Sequence, residues 1–150
     1  MRAIMTAMSI LLAAGPAGAS GGLSCGAKDE AVNLTIESGV TRGMGSPVFN
    51  FRGEIEISEK AISQDLRKMS FERDHLAQYW LDGEELRMVV YREREADKPH
   101  GYVEITVRTK SGDEGDYIGQ YSVTVFDMTD ATGGEGKTYN FTGRATCLVE

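Results

Sequence analysis

The chain is short of the residues that most chemistry relies on. Its 150 residues hold two cysteines, two histidines, three prolines and one tryptophan. His75 and His100 are too few for a three- or four-ligand zinc site once the cysteines are engaged elsewhere. Positive charge is scarce too: 16 Lys and Arg face 23 Asp and Glu, for a net charge of −7. An acidic surface repels nucleic acid and anionic lipid, so neither is expected as a partner. Long hydrophobic runs are also missing. The main apolar stretch, Ile4–Ala14, falls short of the ~20 residues that cross a bilayer, so no membrane span is expected. Proline scarcity beside 18 glycines suits tight turns between strands. What remains is an ordinary globular composition, 41% hydrophobic and 26% charged, at a length that fits one domain.

The N-terminus reads as an address. Met1-Arg2 supplies a positive charge, Ile4–Ala14 an apolar core, and Gly15-Pro16-Ala17-Gly18-Ala19 a small-x-small cleavage site. These are the three parts of a secretory signal. A buried N-terminal helix is the competing reading, but the run shows no amphipathic stripe. Residues 1–19 are therefore expected to be a signal peptide and residues 20–150 a single exported β-domain. The periplasm of a bacterium is the expected compartment. Cleavage removes Arg2 and shifts the net charge from −7 to −8.

Cys25 and Cys147 stand at opposite ends of the mature chain. In an oxidising compartment a pair of cysteines predicts one disulfide. Closing so long a loop is worth up to about 5 kcal/mol in the chain-entropy model. It also requires the first and last segments to be neighbours. In the alternative reading, Gly22-Leu23-Ser24-Cys25 loosely resembles a bacterial lipobox, and the chain would be lipid-anchored through Cys25. Leu23 stands one position too close to the cysteine for that pattern.

Along the mature chain, residues 20–30 read as an irregular lead-in. Period-two alternation then marks strands over 31–37, 48–58, 75–81, 85–93, 102–109, 117–127 and 139–148. In the second of these, Phe49, Phe51, Ile55 and Ile57 share the inward parity. Gly53 lies among them and suggests a bend or bulge. Residues 59–71 are ambiguous. Ile62, Leu66 and Met69 have helical spacing, Ser58 is a candidate cap, and a short helix is the expectation. A rival reading extends it through Trp80. Asp82-Gly83 between two apolar-rich runs is a strong hairpin signal. No βαβ alternation appears. The expected fold is all-β: a single antiparallel meander closing into a small barrel or sandwich.

Candidate chemistry is thin. Ala131–Thr138 fits a loose phosphate-loop pattern, but strand-like residues follow it where a helix is needed, so it reads as a hairpin loop. Asp127, Asp130 and Glu135, and Asp113, Glu114 and Asp116, are acidic loop clusters without the spacing of a calcium site. No catalytic residue, cofactor or metal site is expected. Tyr79, Trp80, Tyr91, Tyr102, Tyr117 and Tyr121 are the candidate contacts. Inside a barrel they would line a cavity for a small apolar ligand, and on its rim they would anchor a protein. Otherwise they pack core.

The sequence thus predicts a non-enzymatic binding protein. In architecture alone it resembles small periplasmic β-barrels such as lysozyme inhibitors and ligand carriers. A basic partner, such as a lysozyme-like hydrolase, is suggested by the net charge. A small-ligand carrier and a hydrolase of unknown type are the alternatives.

Overall fold

The computed structural model describes residues 20–41, 48–95, 97–113, 115–129 and 134–150. The signal segment, Glu114, and Asp130 with the start of the phosphate-loop-like stretch lie outside the described residues. Among the described residues nine antiparallel strands form one sheet: β1 Ser20–Lys28, β2 Val32–Thr41, β3 Val48–Ile57, β4 Lys68–Glu72, β5 Leu76–Leu81, β6 Glu85–Glu93, β7 Gly101–Ser111, β8 Asp116–Asp127 and β9 Lys137–Val149. Their order is β4-β3-β2-β1-β9-β8-β7-β6-β5. Every pair of sequence-adjacent strands except β4 and β5 is hydrogen-bonded, and β1 meets β9, so the meander curls into a nearly closed barrel. The expected all-β meander is what forms, with more strands than the alternation showed.

Alternation explains the walls. On β2, Val32, Leu34 and Ile36 are buried while Asn33, Thr35 and Glu37 are exposed. On β7 and β8, Val103, Ile105, Val107, Tyr121, Val123 and Val125 face in and are almost fully buried. Burying a side chain of this size contributes about 1.5–3 kcal/mol. The two cysteines are direct partners in the β1/β9 register, with Cα atoms 4.0 Å apart, and they form the expected disulfide. With its Sγ in that bond, Cys25 is not available for a lipid, so the anchored reading is withdrawn.

Three expectations need correction. Residues 20–28 are a strand, not an irregular lead-in. They are glycine-rich, but Leu23, Cys25 and Ala27 keep an inward parity. The helix expected over 59–71 shrinks to α1, Gln64–Arg67. Ile62 and Leu66 are buried as helical spacing implied, yet Met69 and Phe71 obey period two and pair with β3 as β4. Ser63, not Ser58, precedes the helix, and its hydroxyl goes to Asp127 instead of capping. Finally, Phe49 faces outward and Val48 takes its place inside. The cause is a bulge at Asn50, not at Gly53. Asn50 adopts φ 51, the left-handed region that asparagine tolerates best among residues with a side chain. One extra residue there flips the parity of everything before it.

The β5/β6 hairpin forms as Asp82-Gly83 predicted, with Gly83 at φ 90. Strands β4 and β5 are joined by a single 3-10 turn, Arg73–His75. Together they make one bent strand whose first half pairs with β3 and whose second half pairs with β6. Among the described residues this hand-over leaves each half with one edge unpaired.

Candidate functional site

The six candidate aromatics do not converge. Tyr117 and Tyr121 face the interior and are buried. The Tyr121 ring lies against Gly143, where a Cβ would come within 2.5 Å of it. Its hydroxyl donates to Asp29 Oδ2 at 2.5 Å. Burial, then the Asp29 carboxylate, push the Tyr121 phenol well up. The same bond and the Val32 and Ala31 amides hold Asp29 below the usual carboxylate range. Tyr79 is half-buried at the β5 edge, its hydroxyl accepting from Val48 N at 3.4 Å. Tyr91 and Tyr102 lie outside, ring centres 5.4 Å apart, and Tyr102 stacks on Phe126 at 5.8 Å with His100 beside both. Burial, and after it Glu93, push the Tyr91 phenol up to about 12.

Trp80 stands apart from the others. It is 58% exposed, the most exposed of the large apolar side chains among the described residues. It is nonetheless held. Its Nε1 donates to Asp82 Oδ2 at 3.0 Å, while Asp82 Oδ1 accepts the Glu84 and Glu85 amides at 3.0 and 2.9 Å. The Glu85 amide, then Trp80, then the Glu84 amide hold the Asp82 carboxyl below its ordinary range. The turn that makes the hairpin therefore also fixes the indole.

Register supplies the rest of this face. Trp80 on β5 is the direct partner of Arg87 on β6, and Arg87 of Arg108 on β7. Arg108 in turn faces Gln120 on β8, and Gln120 faces Arg144 on β9. All five side chains are exposed. Arg73, Trp80, Arg87 and Arg108 line one shallow hollow of about 670 Å³ on the outer wall. Arg87 pairs with Glu85, and among the described residues Arg73, Arg108 and Arg144 have no carboxylate within ion-pair distance. The sequence reading missed these arginines. The outward parity of Arg87 and Arg108 was visible, but nothing in one strand says which residue of the next strand lies beside it.

The remaining polar groups have structural employment. Arg94 is buried at one end of the barrel, where it donates to Asp127 at 2.7 Å, Asp65 at 2.9 Å and the Pro99 and Met128 carbonyls. Asp127, expected among loop acids, ends β8 and is buried. Burial alone would raise its pKa. The Ser63 amide and hydroxyl together with Arg94 outweigh that and lower it. His75 Nδ1 accepts the Glu72 amide in the 3-10 turn. Lys137 and Thr138 of the phosphate-loop-like stretch open strand β9, so no helix N-terminus follows. A Gly-x-Ser-x-Gly pattern occurs at Gly22–Gly26, but Ser24 sits in the straight β1 strand between Glu37 and Leu148, not on a strand-to-helix turn. Among the described residues no three His, Cys, Asp or Glu side chains gather as metal ligands would, and no helix is long and apolar enough to cross a membrane. No family model, curated protein or solved structure matches the chain.

Proposed function

We propose that this is an exported, non-enzymatic binding protein that recognises another molecule on the outer wall of its barrel, at the face carrying Trp80. One observation carries the reading: an indole left 58% exposed yet fixed by Asp82. A rigid aromatic anchor loses little conformational entropy on binding, which is why such residues dominate recognition surfaces. The inward side chains, among them Met88, Ile105, Tyr121 and Val123, pack into one hydrophobic cluster, which supports an outer site over a small-ligand cavity. The disulfide supports export, because such bonds persist in oxidising compartments.

A second reading keeps the basic protein partner suggested by the net charge. It draws on the opposite wall, where Glu37, Glu54, Glu56 and Glu72 are exposed on β2–β4. A photo-crosslinking residue placed at position 80, and separately at position 54, tests both in the exporting cell. Specific adducts from position 80 alone are expected. Adducts from position 54 alone would move recognition to the acidic wall, and none from either would remove the binding role.

A further inference from the structure

We propose that the ligand of the Trp80 face is an anionic glycan, laid across the strands along the row Trp80, Arg87, Arg108, Gln120 and Arg144. The proposal rests on the outer-wall reading above and names its ligand class. The row crosses five adjacent strands in direct register. At ~4.8 Å per strand its four steps span about 19 Å, the reach of an extended oligomer rather than of a single small ion. Its chemistry is sparse positive charge with an exposed ring at one end.

Charge complementarity selects an anion, although the whole chain is at −7. The acids beside the row are engaged: Asp82 with the indole and the turn, and Glu85 with Arg87. Exposed charges farther off are screened beyond about 8 Å at physiological ionic strength. Guanidinium groups bind carboxylate or sulfate through two parallel hydrogen bonds.

The surroundings select a sugar. Next to the row, Thr106, Ser122 and Thr142 form a parallel line of outward residues, again in direct register, and carry hydroxyls but no charge. Hydroxyls suit a hydroxylated ligand, and the flat indole suits the C–H face of a sugar ring. Nucleic acid is the nearest competitor, since bases also stack on tryptophan. Proteins that hold single strands stack successive bases on several aromatic side chains, whereas this row offers one indole. A polyuronate, with one carboxylate per sugar, is a better match.

The test uses the single tryptophan of the chain as reporter. The full exported domain is titrated with an oligogalacturonate, its methyl ester, a single-stranded oligonucleotide and polyglutamate. A saturable change in Trp80 emission is expected with the oligogalacturonate, weakened by salt and lost on esterification. Arg87→Gln and Arg108→Gln are each expected to weaken binding about tenfold, while Arg52→Gln on the opposite wall leaves it unchanged. Equal or tighter binding of the oligonucleotide or polyglutamate overturns the glycan. No emission change with the oligogalacturonate, where cross-links still form from position 80, overturns the glycan and leaves the outer-wall reading standing.

Discussion

Where β1 meets β9, Leu23 through Gly26 share a backbone ladder with Val149 through Thr146, and a disulfide crosses it. Where β4 gives way to β5, no ladder joins the two half-sheets among the described residues. Side chains reach over instead: Arg92 donates to the Ser70 carbonyl, and the Tyr79 hydroxyl accepts from the Val48 amide. Both joints close the same barrel. One is built from obligatory backbone bonds and a covalent link, the other from a bent strand and a few long side chains. The difference teaches that stability and accessibility have been separated. Because the chain ends are locked together, β5 can keep a free edge and an exposed tryptophan without opening the barrel.

The largest effect should come from breaking the locked joint. Replacing Cys25 and Cys147 together by serine is expected to cost about 2–5 kcal/mol, read as a lower denaturant midpoint. An unchanged midpoint would mean that the ladder alone holds the ends. Next comes the barrel end under α1. Asp127→Ala takes the buried carboxylate away from the Ser63 amide and from Arg94, which keeps Asp65 as a partner, and should cost about 1.5–3 kcal/mol. Tyr121→Phe removes one bond to an exposed carboxylate and should cost about 1 kcal/mol. Arg92→Ala at the open seam should cost less, about 0.5 kcal/mol, because exposed polar links contribute little. Hydrogen exchange would sharpen the contrast: β9 amides should exchange last and the unpaired edge of β5 early. Equal protection at both seams would sink it.

The acid limb offers a further check. Asp127 and Asp29 are both held below the ordinary carboxylate value of 3.8 in the folded chain. A depressed folded pKa gives stability that is present above the unfolded pKa and disappears as pH falls through the folded one. The midpoint should therefore drop as pH is lowered below about 4, and Asp127→Asn should flatten that decline while lowering the plateau. An identical slope in the variant would show that Asp127 does not drive it.

Much of the fold was legible along the chain. Val32, Leu34 and Ile36 announce β2, Val103, Ile105 and Val107 announce β7, and Asp82-Gly83 marks its hairpin. The misreadings share one cause. Ile62, Leu66 and Met69 satisfy helical spacing until β3 offers Met69 and Phe71 a partner. Phe49 reads as inward until Asn50 inserts a bulge. The site was half legible: Trp80 was a candidate, but Arg87 and Arg108 entered only through register.

Alternation is a property of a single strand, set by the two faces of an extended backbone, so residue order determined which side chains would be hidden wherever a marked strand runs without a bulge, and that the two cysteines would meet. Which strand lies next to which, and at what offset, is a property of pairs. It is settled by core packing, turn length and bulges acting together. Only the assembled barrel could therefore line up Trp80, Arg87 and Arg108, and leave the β4/β5 seam as the open one.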